Sequence, residues 1–143
     1  MTNYHLFNVG KLSQLDQQRF APDGLPIQID GKIFLKDKLN LSSVEISLNK
    51  IASDTGMDFY HRHHDHEEVY LFLAGEGQME IDGQLIDVEE GSAVCIKPEA
   101  KRSWWNTGKA DLYYIVIQAP ADGMKKQTIE DGELLDGKVP WGH

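Results

Sequence analysis

The chain has 143 residues, a formal net charge of −9 and a single cysteine. A chain of this length forms one domain and buries a hydrophobic core without help from disulfides or metals. The negative charge argues against nucleic acid or a membrane surface as a partner, because both are themselves negatively charged. No apolar run approaches the about 20 residues that a membrane-spanning helix needs.

The cysteine and the N-terminus favour a cytoplasmic protein. Cys95 has no second cysteine to pair with, which fits a reducing compartment. Because it lies in the apolar run 93–96, we interpret it as a small buried hydrophobic residue rather than a reactive thiol. Residues 1–5 lack the basic region and the apolar core of a signal peptide.

The predicted elements begin with an N-terminal arm, residues 1–24. Its composition is mixed, and a few apolar positions between Leu12 and Phe20 suggest a short helix or an irregular segment. From residue 25 the pattern indicates β-structure. Two short apolar runs flank Asp30-Gly31, and this arrangement predicts a two-residue hairpin turn.

Short strands account for most of the remaining chain. Residues 44–51 alternate apolar and polar side chains, as a half-buried strand does. A second hairpin turn is predicted at Asp82-Gly83. We expect about nine or ten strands and under about a fifth of the residues in helices, which indicates an all-β sandwich or barrel. The predicted strands include residues 44–51, 68–73, 77–81, 85–88, 92–96 and 112–118.

The barrel then covers about residues 25–120 of a single domain. Residues 121–143 contain turn sequences and little hydrophobic pattern. We interpret them as a C-terminal arm that packs on the barrel or on a partner subunit. Because open sheet edges need to be paired or covered, we also predict a homodimer.

The chemistry is concentrated in one short segment. Four of the six histidines lie between His61 and His66, and two glutamates follow directly. Residues two apart on a strand project from the same face, so His61 and His63 form a pair, and a turn over residues 64–67 would place Glu68 beside them. Two imidazoles and a carboxylate resemble the facial triad of non-haem iron sites and suit Fe, Mn, Ni, Zn or Co. A solvated, charged loop is the alternative.

The other two histidines of the segment, His64 and His66, fall in the predicted turn. One of them could complete the coordination of a metal or act as an acid or base near neutral pH. The alternative is that both are exposed turn residues, since His61 and His63 set the alternation of faces.

These residues resemble the first motif of the cupin family. His61-Arg62-His63, four residues, Glu68, six residues and Gly75 match its spacing, and Gly56 is its leading glycine, one residue nearer than usual. The resemblance covers about residues 25–120. It implies a double-stranded β-helix, which is a small jelly-roll barrel with the site in its mouth, and a divalent metal held by His61, His63 and Glu68. The fold does not by itself define the function.

The second motif of the family is degraded in this chain. Gly91 begins it and Asn106-Thr107-Gly108 ends it, but Lys97 and Glu99 replace its usual proline and glycine. Arg102 stands where the family has its fourth metal ligand, a histidine; a shift of one residue would place Ser103 there.

An arginine is always charged and cannot bind a cation. Arg102 could clamp the carboxylate or phosphate of a substrate beside a three-ligand metal. Alternatively, the metal is lost and the histidines bind a ligand directly, or Arg102 points outwards and pairs with surface acids.

Aromatic residues accompany the proposed site. Because side chains alternate between the two faces of a strand, Tyr70 and Phe72 share the face of Glu68, and Trp104 shares the face of Arg102. If these faces line the barrel, Tyr70 and Trp104 contact a flat or apolar ligand group. Packing in the core is the alternative.

Two classes of function therefore remain open. The first is an enzyme of oxygenase, isomerase or lyase type that acts on a small anionic molecule through a divalent metal. The second is a non-catalytic binding or sensing barrel that has lost part of its metal site.

Overall fold

The computed structural model describes residues 2–141, which form ten strands, one 3-10 helix and one short α-helix. In chain order the elements are the 3-10 helix Leu12–Gln17, β1 Arg19–Phe20, β2 Ile29–Asp30, β3 Lys32–Phe34, α1 Lys36–Leu39, β4 Glu45–Ile51, β5 His66–Ala74, β6 Glu76–Ile81, β7 Gln84–Glu89, β8 Ala93–Ile96, β9 Arg102–Trp105 and β10 Leu112–Pro120. The predicted all-β fold is confirmed. The six predicted strands are present with ends that differ by about two residues or less.

The strands form two main sheets. One has the order β3-β4-β10-β5-β8, the other has the order β7-β6-β9, and β1 pairs with β2 alone. All pairings are antiparallel. The hydrophobic core lies between the two main sheets, where Trp104 of β9 packs edge-on against Tyr70 of β5 at a ring-centroid distance of 5.0 Å.

The two Asp-Gly pairs behave differently. Asp82 and Gly83 both have positive φ angles, 49° and 85°, and join the paired strands β6 and β7, as predicted for a hairpin. The hairpin predicted at Asp30-Gly31 is wrong, because β2 pairs with β1 while β3 pairs with β4. Gly31 instead marks a crossing between sheets: a side chain there would collide with the carbonyl oxygen of Lys50.

Strand β4 buries its polar face. Ser47 and Asn49 are only 1% and 2% exposed, while Ile46 and Leu48 are half-buried. The 3-10 helix packs against β4 and buries Leu15. The alternation predicts the strand correctly, but the polar residues are the ones that face the barrel interior.

Cys95 is exposed, so its interpretation as a buried residue is wrong. Strand β8 lies at the edge of the five-stranded sheet. Its alternating side chains place Ile96 in the core and Cys95 on the outside. An apolar run of four residues in a strand of this kind therefore buries only every second side chain.

The C-terminal arm does not pack on the barrel. All residues from 122 to 141 are exposed. Packing on a partner subunit, the other alternative for this segment, stays a prediction.

None of the helices within residues 2–141 has the length and the apolar character needed to cross a membrane.

Candidate metal centre and adjoining cavity

The segment that carries the histidines is fixed along strand β9. The backbone N–H of Met57 donates to the carbonyl oxygen of Trp104 at 2.9 Å, and His61 and Arg102 exchange two backbone hydrogen bonds of 3.1 and 3.0 Å. Gly56 makes this approach possible, because a side chain at that position would collide with the backbone of Trp104. The leading glycine of the motif thus helps to position the histidines.

Three of the predicted site residues come together. Glu68 lies on the inner face of β5 and is 3% exposed. Its Oε1 atom is 3.6 Å from His61 Nε2, and its Oε2 atom is 3.3 Å from His63 Nε2. One nitrogen or oxygen atom from each of the three residues lies within 4.8 Å of the others, so the group could hold a metal ion.

The donor set fits a divalent transition metal. Imidazole nitrogen and carboxylate oxygen are ligands of Zn, Fe, Mn and Ni. Ligand atoms that are each about 2.0–2.2 Å from one ion stand about 3–4 Å apart, which matches the two distances between the histidines and Glu68.

The carboxylate of Glu68 stays ionised. Burial by itself would raise the pKa of Glu68, but the neighbouring His61, His63 and Tyr70 hold it well below its ordinary value. Tyr70 donates its hydroxyl hydrogen to Glu68 Oε1 at 2.9 Å. Burial and the adjacent carboxylate raise the pKa of Tyr70, so its hydroxyl remains a neutral donor. Glu68 is therefore a negatively charged carboxylate that can bind a cation.

Arg102 lies inside the protein. It is 0% exposed, which rules out the interpretation as a surface arginine. Its Nη1 atom is 3.5 Å from Glu68 Oε1, and its Nη2 donates to the carbonyl oxygen of Lys97 at 3.2 Å. Nε and Nη1 have no hydrogen-bond partner in the described part of the chain. Arg102 is thus placed to neutralise Glu68; its predicted role as an anion clamp stays a prediction.

His64 and His66 differ in position. His64 is exposed, and its Nδ1 lies 2.9 Å from Glu99 Oε1, away from the donor group. The prediction that His66 lies in the turn is wrong, because His66 begins β5, where it is paired with Pro120 of β10.

The ring of His66 stacks on the ring of His63 at a centroid distance of 5.8 Å. Its Nδ1 lies 3.0 Å from Gln118 Oε1. His66 therefore flanks His63 but lies outside the group of three donor residues.

A cavity of about 230 Å³ adjoins the donor group. Its wall includes His61, His63 and Glu68 themselves and the predicted residues Tyr70 and Trp104. Both aromatic residues also belong to the hydrophobic core. Trp104 Nε1 donates to the Tyr114 hydroxyl at 2.7 Å. Arg102 does not contribute to this wall. The remaining apolar wall is formed by Phe20, Ile27, Ile29, Phe34, Phe59 and Val116.

Sequence reasoning missed two parts of this cavity. Phe20 belongs to the segment predicted to be an arm outside the barrel, yet it packs edge-on against Phe34 at a centroid distance of 4.9 Å and covers the cavity. Lys32 of β3 also lines the cavity. Lys32 stands two residues before Phe34 in the same strand, so both side chains lie on one face. This spacing could have indicated that Lys32 faces the cavity.

Lys32 is held by two neutral oxygen atoms. Its Nζ donates to Asn49 Oδ1 at 2.9 Å and to Ser47 Oγ at 3.2 Å. Burial lowers the pKa of Lys32 to about 8, although Glu68 and Glu45 act in the opposite direction. The buried polar residues of β4, Ser47 and Asn49, therefore hold this ammonium group in place by hydrogen bonds.

Known proteins resemble the chain across its barrel. The model of the cupin domain family matches residues 51–118. A cupin protein from Bacteroides fragilis has 27% identity and a TM-score of 0.77, with 94% of this chain and 99% of that chain covered. A putative sugar phosphate isomerase from Acidithiobacillus ferrooxidans has 27% identity and a TM-score of 0.57, with 64% of this chain and 59% of that chain covered.

A sequence relative is also known from Methanocaldococcus jannaschii. It is 29% identical over 76 residues, which cover 53% of this chain and 57% of that protein. The match thus spans little more than half the length of this relative. Together with the antiparallel sheets, these similarities show the double-stranded β-helix fold.

Proposed function

Because the chain is a small cupin, we propose that it holds a divalent transition metal at His61, His63 and Glu68 and binds a small anionic molecule in the adjoining cavity. The observation that carries this proposal is the position of the three donor residues. They converge on one point, and all three form part of the wall of a partly open cavity whose remaining wall is mostly apolar. A metal held there would have its remaining coordination positions next to a bound ligand.

The charges around the cavity support an anionic ligand. The negative charge of Glu68 is offset by the buried guanidinium of Arg102 at 3.5 Å. With neutral imidazoles, a divalent ion would therefore leave a charge of about +2 at the donor group, and Lys32 adds a further positive charge. Such a site attracts anions and disfavours cations.

A metal at this position would supply Lewis-acid polarisation of a ligand oxygen atom, as an isomerase or lyase requires, whereas an oxygenase would require a redox-active metal such as Fe to activate dioxygen. The protein residues have separate tasks. Tyr70 and Arg102 fix the Glu68 carboxylate from two sides. Trp104, Phe59 and the β1–β2 segment exclude water from the ligand.

A non-catalytic binding or sensing barrel is the second candidate. Arg102 favours it, because its guanidinium already supplies Glu68 with a positive neighbour that a metal ion would otherwise provide. On this hypothesis, the barrel is stable without metal and the histidines take part in ligand binding by hydrogen bonds.

The two candidates differ in metal content. We expect elemental analysis of protein purified without chelator or nickel resin, and then reloaded, to find about one equivalent of transition metal. His61→Ala should abolish this occupancy, because two ligands are too few. His64→Ala is the matched control, since His64 is exposed and lies outside the donor group. Less than about a tenth of an equivalent after reloading would rule out the metal site.

The quaternary structure and the cellular location stay predictions. We propose a homodimer, in which the exposed edge of β8 or the apolar side chains Leu134, Leu135 and Trp141 of the C-terminal arm meet a partner subunit. A cytoplasmic location and the absence of nucleic-acid or membrane partners are proposed on composition alone. Light scattering at micromolar concentration tests the dimer, and a monomer would contradict it.

A further inference from the structure

Lys32 has no role in the metal centre, yet it forms part of the cavity wall. We propose that Lys32 is the anion-binding residue of the cavity and that the ligand is a small monocarboxylic acid with an apolar body. This inference rests on the proposed cavity ligand but not on the metal, so the two can fail separately.

The hydrogen bonds of the Lys32 ammonium leave one donor available. An ammonium group has three N–H donors. Two of them reach Asn49 Oδ1 at 2.9 Å and Ser47 Oγ at 3.2 Å. The third is free for a group inside the cavity. An ammonium with one remaining donor suits one carboxylate oxygen, whereas the other terminal oxygens of a phosphate would need donors from elsewhere in the wall.

The two partners of Lys32 are themselves fixed. Asn49 and Ser47 are almost fully buried. The amide nitrogen of Asn49 is 3.1 Å from the carbonyl oxygen of Ser47 and 3.3 Å from that of Tyr114. The amide therefore cannot turn, and its oxygen is directed at the ammonium. This is a preorganised site on regular strands rather than a mobile surface lysine.

The charge of Lys32 is not balanced by a direct partner. Within residues 2–141, no carboxylate oxygen lies within 4.0 Å of its Nζ, whereas exposed Arg19 and half-buried Lys50 both have such partners. Lys32 is half-buried, and a partly desolvated charge that has only neutral hydrogen-bond partners is costly to maintain. A carboxylate from a ligand would supply the missing counter-ion, which is the reason for assigning the ligand's anionic group to this wall.

The rest of the wall defines the body of the ligand. Phe20, Ile27, Ile29 and Phe59 offer hydrocarbon surface and no hydrogen-bonding side chains. Among the described residues, Ser47 and Gln118 are the only uncharged amide or aliphatic hydroxyl side chains of this wall, so most hydroxyl groups of a sugar phosphate, the type of molecule named for the Acidithiobacillus ferrooxidans protein, would face hydrocarbon without a partner. A ring or a short hydrocarbon chain fits the wall better.

Calorimetric titration of the chelator-treated, metal-free protein tests the inference. The probes are benzoate, cyclohexanecarboxylate and hexanoate, each with its matched alcohol, and glucose 6-phosphate. We expect at least one carboxylate to bind the wild type, with affinity reduced about tenfold or more in Lys32→Met. Lys109→Met, which removes an exposed lysine, is the control and should bind like the wild type. The alcohols should bind all three proteins alike.

Several results would overturn the inference. These are unchanged carboxylate affinity in Lys32→Met, no binding of any carboxylate to the wild type, or tighter binding of glucose 6-phosphate than of the carboxylates. If Lys32→Met fails to fold, wild-type protein labelled with ¹³C-lysine replaces it: the bound carboxylate should shift one lysine Cε resonance, and no shift would contradict the assignment. The zinc content of reloaded protein is measured in parallel. Carboxylate binding without zinc binding would refute the metal site alone.

Discussion

The two charged walls of the cavity are built in different ways. On the metal wall, defined by His61, His63 and Glu68, the carboxylate has a buried arginine and a tyrosine hydroxyl as direct partners. On the lysine wall, formed by Lys32 and Ser47 with Asn49 packed behind them, the ammonium has only neutral oxygen atoms beside it. The comparison indicates that the carboxylate of the metal wall already has a cationic neighbour within the protein, whereas the ammonium of the lysine wall gains its counter-ion from a ligand.

The largest difference between the walls should appear in stability. Arg102→Met leaves the carboxylate of Glu68 buried without its cation, and we expect the free energy of unfolding to fall by about 3–5 kcal/mol. Lys32→Met removes a half-buried charge that has no anionic partner, but it leaves the buried Asn49 Oδ1 without its donor, so we expect a smaller loss of about 1–3 kcal/mol. Urea denaturation of both variants measures this. Equal destabilisation would contradict the contrast between the walls.

The metal wall can be strengthened by one substitution. Arg102→His should restore the fourth ligand of the family and tighten zinc binding about tenfold or more. Ser103→His is the matched control, because it introduces the same side chain at the neighbouring position, where Ser103 Oγ donates to Met57 O instead. Zinc titration of both variants decides between them. A gain only in Ser103→His would mean that the second motif aligns one residue later.

The lysine wall should respond to pH. The pKa of Lys32 is about 8 in the folded protein and lies below its ordinary value of 10.5. Its neutral form is thus favoured by folding, and the stability of the wild type relative to Lys32→Met should rise between pH 8 and 10.5. Glu68 and Glu45, the acidic groups that act on Lys32, oppose this shift.

Carboxylate binding should change in the opposite sense. Only the ammonium form attracts the anion, so affinity should fall as pH rises through about 8. Calorimetry with benzoate at pH 7 and pH 9 measures the effect. Affinity that stays constant over this range would show that Lys32 does not titrate in contact with the anion.

The smallest effect is expected for the exposed pair of His64 and Glu99, which lies outside the metal wall. His64 and Glu99 are both exposed, so His64→Ala should leave metal content and the denaturation midpoint unchanged. A loss of metal in this variant would mean that His64 moves into the coordination sphere, which is the alternative that the sequence analysis gave for His64.

The metal wall could be predicted because its spacing is local. His61 and His63 are two residues apart, and Glu68 follows five residues after His63, so all three lie within eight consecutive residues. The lysine wall depends on distant pairing: Lys32 meets Asn49 only because β3 pairs with β4. The Asp30-Gly31 pair predicted a local hairpin between β2 and β3 and gave no information on the pairing of β3 with β4. Turn chemistry does not determine which strands pair over long distances.

Burial was harder to predict than strand position. The burial of Arg102 and the exposure of Cys95 both depend on which face of a strand is covered, and tertiary packing decides this. In β4 the polar residues face inwards because they hold Lys32. A pattern of alternating apolar and polar residues shows that a strand has two different faces. The apolar face is usually the buried one, but in β4 a buried polar network makes the polar face the inner one.

The most direct test of the metal wall is diffraction from crystals of zinc-loaded protein at energies above and below the zinc absorption edge. We predict one anomalous difference peak per chain, at about 2.0–2.2 Å from His61 Nε2, His63 Nε2 and a carboxylate oxygen of Glu68. A peak at the exposed His64–Glu99 pair, or no peak in crystals grown with excess zinc, would contradict the proposal.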